Sequence, residues 1–331
     1  MSLAGIDDPR DSGPERDSPL FTARPSAYIA VVIAVMLCGV LGGQRLYGIF
    51  ACSASGYGSD GYLAYCQSSN YGDYDHGAFW FGLEPVAVDA AAKAQVVFIG
   101  NSNMQFGLSS RALADWFRSA GVSYYLMGFV YDNHTFEGPL IAKIRPKARV
   151  YVINLDHFFE SETPPIKAVM RDSGARARYG QKRTWQQIHK MLCTILPRVC
   201  GNEVSFFRSR ETGSWAVFGE GFSSRTVSYD DQVDQRILAT YSTLGRAFLE
   251  GLPVPRECTV LTTVPTVDSK LGTAKAVASA LGLPLVAPEL AGLSTFDASH
   301  LDQRSAERWS AAFIDAAAAQ IRACLQVTPG A

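Results

Sequence analysis

The fold prediction for this sequence rests first on residues 96–102, VVFIGNS. The run opens with four apolar residues, three of them β-branched, which is typical of a strand buried on both faces of a sheet. The next residues, Gly100 to Asn103, form a tight turn. A helical pattern follows, with Leu113, Trp116 and Phe117 on one face. A buried strand followed by a helix predicts the first unit of a parallel α/β sheet.

The same alternation continues towards the C-terminus. Further strands are predicted at Val122–Met127, Val150–Ile153, Thr259–Val264 and Pro284–Ala287. Further helices are predicted at Phe136–Ile144, Val233–Leu249, Asp268–Leu281 and Gln303–Leu325. Strands and helices in this order predict a parallel sheet with helices on both faces. Residues 157–232 show no clean periodicity and are interpreted as an insertion.

The N-terminal segment predicts a membrane anchor. Residues 1–24 are polar and rich in turn formers, which is typical of a disordered tail. Residues 25–45 hold no charge before Arg45, and about 20 apolar residues match the thickness of a bilayer, so one transmembrane helix is predicted. A cleaved signal peptide and a buried soluble helix are the alternatives, but the polar residues before the apolar run do not fit the first, and the lack of a polar face does not fit the second. Residues 46–94 are predicted to be an irregular juxtamembrane segment.

Six cysteines lie beyond the apolar segment and indicate an oxidising compartment. They form local groups in the sequence: Cys52 with Cys66, Cys193 with Cys200, and Cys258 with Cys324. An even number in local groups is typical of disulfides, although six cysteines allow 15 connectivities. Scattered thiols in a cytosolic protein are the alternative. We therefore expect a cytoplasmic tail and an extracytoplasmic body.

Composition and charge exclude several classes of protein. With 47% hydrophobic and 18% charged residues, the chain is too apolar for a disordered protein. A net charge of −1 provides no field for nucleic acid, so no nucleic-acid partner is expected. Within the insertion, residues 167–190 hold seven basic residues and one acid. This segment is either a solvated surface or a face for anionic lipid headgroups or an acidic glycan.

Two short motifs could together perform nucleophilic catalysis. Ser102 follows the first strand, where parallel sheets place ligands and where backbone amides of a starting helix can hold an oxyanion. Asp297 and His300 precede the final helix, at a spacing that lets the carboxylate orient the imidazole. Each motif alone is also explained by an ordinary turn, cap or surface pair. Together they predict a Ser-His-Asp triad.

These two motifs resemble the SGNH/GDSL hydrolase superfamily. The segment from Phe98 to Ser102 is similar to the first block of that family, and the segment from Asp297 to His300 is similar to the last. The resemblance implies a flavodoxin-like three-layer sandwich over residues 95–325, with Ser102 as nucleophile. It implies that His300 is the base and that Asp297 orients it. It does not extend to the first 90 residues.

The resemblance also implies an oxyanion hole. Gly128 matches the family's glycine after the second strand. Asn154 lies at the end of the third strand, two places before the position of the family's asparagine, where Asp156 stands. Asn133 is the alternative donor. The family's aspartate before the serine is replaced here by Asn101.

Similar departures occur in membrane-anchored relatives that handle acyl groups on envelope polymers. The resemblance therefore implies a single-pass protein of the bacterial inner membrane with a periplasmic catalytic domain. Its expected activity is that of an esterase or O-acyltransferase acting on acyl esters, such as acetyl esters, of a cell-envelope or exported polysaccharide. A membrane partner in acyl transfer or export is expected as well.

The remaining histidines show no ligand spacing, so neither a metal nor another cofactor is expected. A non-catalytic accessory subunit of the same fold, binding a polysaccharide or a membrane partner, is the alternative function.

Overall fold

A computed structural model describes residues 25–68 and 70–326, with the side chains of residues 40–47 excepted. The predicted tail, residues 1–24, lies outside the described residues. The chain divides into two compact units, Met1–Arg45 and Leu46–Ala331. All the strands named below belong to the second unit.

The first described element is helix α1, Pro25–Phe50. It covers the segment 25–45 that was expected to cross a membrane, and its large apolar side chains from Tyr28 to Leu37 are exposed. Across the described residues, the structure contains no helix with both the length and the apolarity needed to span a bilayer. Membrane insertion of this segment stays a prediction.

Strands and helices alternate through most of the body. The strands are β1 Gly61–Cys66, β2 Gly72–Asp73, β3 Val96–Asn101, β4 Tyr124–Phe129, β5 Val150–Asn154, β6 Ser205–Ser209, β7 Trp215–Phe218, β8 Arg225–Thr226, β9 Thr259–Thr262 and β10 Ser294–Thr295. The helices after α1 are α2 Asp75–Trp80, α3 Pro85–Lys93, α4 Ser102–Leu108, α5 Arg111–Ala120, α6 His134–Ile144, α7 Pro164–Met170, α8 Ala175–Ile195, α9 Gln235–Glu250, α10 Leu271–Leu281 and α11 Gln303–Gln326.

The central sheet is parallel, with the strand order β4-β3-β5-β9. Its alternate side chains enter two separate cores. Val97 and Ile99 pack in the core that α3, α6 and α10 cover, whereas Val96 and Phe98 pack in the core that α5 and α11 cover. Because both faces of the sheet are buried, its strands are apolar runs without polar alternation. The mixed α/β arrangement with helices on both faces, as the sequence predicts, is confirmed.

Two predicted strands differ from the structure. The second begins at Tyr124 instead of Val122, because Gly121 takes a left-handed conformation and the Val122 amide still caps α5 by donating to the Phe117 carbonyl. The predicted strand Pro284–Ala287 is reduced to a single parallel bridge between Leu285 and Leu261. Pro284 has no N–H to donate, which limits further pairing.

A second, antiparallel sheet with the order β2-β1-β6-β7 corrects two expectations. The segment 46–94, expected to be irregular, provides β1 and β2 and also α2 and α3. The insertion 157–232 provides β6 and β7, so both regions build one sheet. The insertion also contains α8, whose buried face carries Tyr179, Gln186 and His189. A helix with polar residues on its buried face does not show the apolar period.

The cysteines pair as their local grouping suggests. Disulfides join Cys52 to Cys66, Cys193 to Cys200 and Cys258 to Cys324. The Cα atoms of the three pairs are 5.8, 5.9 and 5.5 Å apart. The last disulfide links Cys258, directly before β9, to Cys324 in α11.

Candidate active site

Ser102 is the first residue of α4 and directly follows the central strand β3. Asn101 caps the helix, since its Oδ1 accepts a hydrogen bond of 3.0 Å from the Asn103 amide. Gly100 has a φ of +152°, and a Cβ there would lie 2.8 Å from the Cβ of Asn154. The turn that presents Ser102 therefore requires a glycine at position 100.

The structure brings the three residues of the predicted triad together. The Nε2 atom of His300 lies 2.8 Å from the Oγ atom of Ser102. Its Nδ1 atom lies 2.7 Å from Oδ2 of Asp297. Although Ser102 and His300 are 198 residues apart in the sequence, the serine, imidazole and carboxylate form one chain of hydrogen bonds.

The loop before α11 holds Asp297 and His300 in register. Oδ1 of Asp297 accepts hydrogen bonds from the backbone amides of Ser299, at 3.1 Å, and His300, at 2.8 Å. Ala298 takes a left-handed φ of 71°, which closes this short turn. Burial opposes ionisation of Asp297, but the hydrogen bonds and charge of His300 and these amides lower its pKa below the usual value. Asp297 is therefore a carboxylate near neutral pH.

Aromatic side chains enclose the imidazole, and the sequence analysis missed them. The ring of Phe296 stacks on His300 at 5.6 Å, and the ring of Phe106 meets it edge-on at 4.8 Å. Phe222 from the insertion packs on Phe296 at 5.1 Å. Phe106 could have been found from the sequence, since it lies four residues after Ser102 and therefore on the same face of α4.

The triad opens into a cleft of about 670 Å³ between the two sheets. One wall is formed by the ends of the parallel strands and their loops, with Asn101, Val130 and Asn133. The other wall is formed by the antiparallel sheet, with Tyr65 of β1 and Phe206 of β6. Residues 46–94, expected to be irregular, and the insertion 157–232 therefore contribute to the wall of the cleft.

Gly128 is not placed to bind an oxyanion. Its amide donates a 3.2 Å hydrogen bond to Oε1 of Gln105, and its carbonyl accepts one from Arg208. Gly128 pairs with Gly100 inside the sheet and does not line the cleft. The sequence expectation fails here because β4 continues past Gly128 to Phe129.

The two asparagine candidates are also bound elsewhere. Asn154 is fully buried, where its Nδ2 donates to Oδ1 of Asn101 and its Oδ1 accepts from the Val264 amide. Asn133 lines the cleft, but its Oδ1 caps α6 and its Nδ2 donates to the Ser161 carbonyl. The side-chain amides of both residues are therefore engaged by neighbouring groups of the scaffold.

The two departures from the family motif contact each other. Nδ2 of Asn101 donates to the Asp156 carbonyl at 2.9 Å and lies 3.5 Å from its Oδ2. The same Oδ2 accepts a 2.5 Å hydrogen bond from Asn103, whose Oδ1 accepts from Ser299. The amide before the serine and the carboxylate after β5 are thus complementary partners.

Backbone amides remain as donors near the nucleophile. The amide of Ser102 lies in the first turn of α4, where helical N–H groups lack an intrahelical acceptor. Tyr131 follows β4, lines the cleft and has a left-handed φ of 56°. In residues 25–68 and 70–326 no acceptor is found for its N–H. The Ser102 amide stays an oxyanion candidate, as the sequence predicts, and the amide of the cleft residue Tyr131 is a further candidate.

A cluster of buried charges lies behind the strand ends. Arg208 and Asp75 form an ion pair of 3.2 Å with both side chains fully buried. Asp75 also accepts a 2.5 Å hydrogen bond from the Tyr62 hydroxyl, and burial raises its pKa to about 6. Asp132 and Glu137 are buried nearby. Burial raises the pKa of Asp132 to about 7, and burial with the neighbouring Asp132 charge raises that of Glu137 well above its usual range.

One further group of side chains has the atom types of a metal site, but these atoms already have protein partners. His189, Cys193 and Cys200 bring ligand atoms within 4.8 Å of one another. The two cysteines form a disulfide, however, and the imidazole contacts the Tyr57 hydroxyl and the Cys52 carbonyl. These atoms are therefore held by protein partners.

The arrangement at Ser102 can abstract a proton from a serine hydroxyl and stabilise the imidazolium that forms, which is the chemistry of acyl transfer. Comparison of the chain with known protein families, with curated proteins and with solved structures found no match.

Proposed function

We propose that this protein is a membrane-anchored, extracytoplasmic serine enzyme of the SGNH type. It acts as an esterase or O-acyltransferase on acyl esters, such as acetyl esters, of a cell-envelope or exported polysaccharide. The contact of 2.8 Å between Ser102 and His300, continued by that of 2.7 Å to Asp297, carries the proposal. The strand order β4-β3-β5-β9, with the bridge at Leu285 as a fifth position, corresponds to the flavodoxin-like order 2-1-3-4-5 and supports an SGNH-type fold.

The mechanism follows from the direction of the hydrogen bonds. Ser102 Oγ attacks the acyl carbonyl while Nε2 of His300 takes its proton. Asp297 holds the imidazole and stabilises its charged form. His300 then returns the proton to the leaving sugar oxygen, and an acyl-enzyme ester remains on Ser102. In the second step His300 deprotonates water, which releases the acid, or an acceptor hydroxyl, which receives the acyl group.

The oxyanion of each tetrahedral intermediate would be held by backbone amides. The Ser102 amide lies at a helix N-terminus, where the N–H groups carry a partial positive charge. Tyr131 lines the same cleft, and within residues 25–68 and 70–326 its N–H has no backbone acceptor. Two preorganised donors are sufficient for this role in acyl-transfer sites.

The remaining features support the substrate class and the location. Aromatic side chains of Tyr65, Tyr131 and Phe222 line a cleft that is open to solvent, which suits a bulky polymer with apolar sugar faces. Three disulfides support an oxidising compartment. The exposed apolar side chains of α1 support an anchor that places the body beside a membrane.

A fluorophosphonate probe tests the nucleophile. The wild type is expected to react at Ser102, and Ser102→Ala to lose the reaction. Ser299→Ala is the matched control, since Ser299 lines the same cleft and its hydroxyl donates to Oδ1 of Asn103 instead of to the His300 imidazole. Equal labelling of the wild type and Ser102→Ala would refute the enzyme proposal.

Acetylated polysaccharides then separate the two reactions. An esterase releases acetate at the same rate with or without an acceptor glycan. A transferase moves the acyl group to the acceptor and releases little acetate, because the acceptor excludes water from the second step.

A second candidate is a non-catalytic accessory subunit that binds a polysaccharide or a membrane partner. The observation in its favour is that the Gly128 backbone amide and the Asn133 and Asn154 side-chain amides donate to other protein groups, together with the Asp156 carboxylate near the nucleophile turn. This candidate predicts that the wild type binds the polysaccharide as tightly as Ser102→Ala and that neither reacts with the probe.

A further inference from the structure

The C-terminal end of α8 exposes an unusual amount of apolar surface. Met191, Ile195, Leu196 and Val199 are 55%, 67%, 54% and 51% exposed. Met191 and Ile195 are four residues apart and share one face of the helix. These four residues, here called the apolar tip, all lie within residues 191–199. Clustered apolar exposure of this kind marks a surface that meets another apolar phase.

A disulfide holds the apolar tip in place. The Cys193–Cys200 bond closes the loop that contains Ile195, Leu196 and Val199, and Cys193 itself is buried. The 3-10 turn Pro197–Val199 shortens the loop further. The side chains are thus directed outwards on a restrained backbone, which lowers the entropy lost when they bind.

The apolar tip lies next to the beginning of the body unit. The amide of Gly201 donates a 2.6 Å hydrogen bond to the Phe50 carbonyl, and the amide of Glu203 donates one of 2.9 Å to the Ala51 carbonyl. The ring of Phe50 lies 6.2 Å from that of His189, on the last turns of α8. The loop therefore sits where the chain enters the body from α1.

The charges around the tip suit an anionic surface. Lys190, directly before Met191, and Arg198, between Leu196 and Val199, are exposed, and Nζ of Lys190 lies 5.7 Å from the centroid of the Tyr57 ring. In the part of the chain that the structure describes, neither forms an ion pair with a carboxylate. Arg171 and Arg178 of the same basic segment differ, since they pair with Glu162 and Asp172. Cations flanking apolar side chains are typical of segments that lie in the lipid headgroup region.

We infer that the apolar tip rests in the headgroup region of an anionic bilayer. Ile195, Leu196 and Val199 enter the boundary with the acyl chains, while Lys190 and Arg198 contact lipid phosphates. With Phe50 beside it, the tip provides a second attachment that restricts rotation of the body about its anchor. The inference rests on the membrane location in the proposed function and is independent of the proposed chemistry.

Tryptophan quenching in reconstituted full-length protein tests this inference. Ile195→Trp is compared with Thr243→Trp, an exposed control position on α9, after subtraction of the five native tryptophans. The vesicles contain phosphatidylcholine and phosphatidylglycerol, with or without brominated acyl chains. Brominated lipid is expected to quench the added tryptophan at 195 and not at 243, while aqueous iodide quenches at 243 and not at 195.

Iodide quenching at 195 as strong as at 243, in protein that sediments with the vesicles, would overturn the inference and leave the anchor intact. Protein that does not sediment with vesicles would refute both. Protection of position 195 that appears only at high protein-to-lipid ratio would assign the tip to a second copy and overturn the inference. The fluorophosphonate reaction is expected to be unchanged in Ile195→Trp, which separates this test from that of the chemistry.

A charge reversal tests the lipid headgroup contact. In Lys190→Glu/Arg198→Glu, quenching at position 195 by brominated lipid is expected to fall in vesicles with phosphatidylglycerol and to change little in pure phosphatidylcholine. Equal quenching of the parent and the reversed variant in anionic vesicles would contradict the role of the two cations.

Discussion

Two contacts between a carboxylate and a nitrogen-bearing side chain have similar geometry and opposite surroundings in this protein. Asp297 and His300 are 2.7 Å apart at the edge of an open cleft, with 32% and 13% of their side chains exposed. Asp75 and Arg208 are 3.2 Å apart and fully buried between the two sheets. Water can solvate the first pair when one partner is lost, but not the second. The first pair is therefore suited to change its protonation state during a reaction, and the second to hold the scaffold.

The buried pair is connected to the site that the exposed pair serves. Arg208 donates to the carbonyl of Gly128, which pairs with Gly100 beside the nucleophile turn. The aromatic rings of Phe79 and Phe129 lie 5.2 and 4.7 Å from its guanidinium. Arg208 thus connects the antiparallel sheet to the end of β4. Loss of this connection is expected to lower the stability of the fold and to affect the site only indirectly.

The largest effect is expected from Asp297→Asn. An amide at this position no longer stabilises the imidazolium and favours the wrong tautomer of His300, so the rate of fluorophosphonate labelling is expected to fall by about 10⁴-fold. The free energy of unfolding, from urea titration, is expected to change by less than about 1 kcal/mol because the pair is partly exposed. A variant that labels at the wild-type rate would contradict the role of Asp297.

Arg208→Met is expected to show the reverse pattern. It leaves Asp75 buried without its counter-charge, so the free energy of unfolding is expected to fall by about 3–5 kcal/mol. Arg178→Met is the matched control, because it breaks an exposed pair with Asp172 and is expected to cost less than about 1 kcal/mol. Similar urea midpoints for the two variants would show that burial does not distinguish these pairs.

The buried carboxyls predict a stability that depends on pH. Burial raises the pKa of Asp132 to about 7, and burial with the neighbouring Asp132 charge raises that of Glu137 well above its usual range, so the folded chain holds protons that the unfolded chain has released. Stability from this pair is full below pH of about 4 and is lost as the pH rises through 7, at up to about 1.4 kcal/mol per pH unit and proton. Glu137→Gln keeps a hydrogen-bond donor and cannot ionise, so its urea midpoint is expected to decline less between pH 6 and about 8. An identical decline in both proteins would contradict this origin.

The smallest effect concerns Asn101 and Asp156. Asn101→Asp places a second carboxylate near the Asp156 side chain and removes the donor to the Asp156 carbonyl. The free energy of unfolding is therefore expected to fall by about 1 kcal/mol. Asp156→Asn in the same background removes the repulsion and is expected to restore part of the loss. Additive losses in the urea double-mutant cycle would show that the two departures from the family motif are independent.

The parallel sheet could be predicted because its evidence is local. Val96 to Ile99 and Val150 to Ile153 are short apolar runs, and a strand buried on both faces needs no other pattern. The antiparallel sheet could not be predicted in the same way. Tyr62 and Tyr74 are fully buried in a segment with the composition of a loop, and their hydroxyls are satisfied by Asp75 and Glu84. Burial of a tyrosine depends on a distant partner, which periodicity does not record.

The oxyanion donors differ for the same reason. Gly128, Asn133 and Asn154 each have the residue type that the family motif requires. Their hydrogen bonds with Gln105, Ser161 and Asn101 depend on how the strand ends meet. Residue type identifies a possible donor, whereas its availability depends on every other acceptor nearby.

The order of strands and helices along the α/β domain, the local grouping of the cysteines and the candidate triad of Ser102, Asp297 and His300 can all be predicted from the sequence. These properties follow from hydrophobic period and from spacing within short segments, which operate over a few residues. The tertiary structure was needed to show that the triad atoms lie within hydrogen-bond distance. It was also needed to show that residues 46–94 and the insertion share one sheet and that the tip of α8 lies beside Phe50. Contacts between residues more than 100 positions apart depend on how whole elements pack, because the free energy of a buried contact depends on both residues that form it.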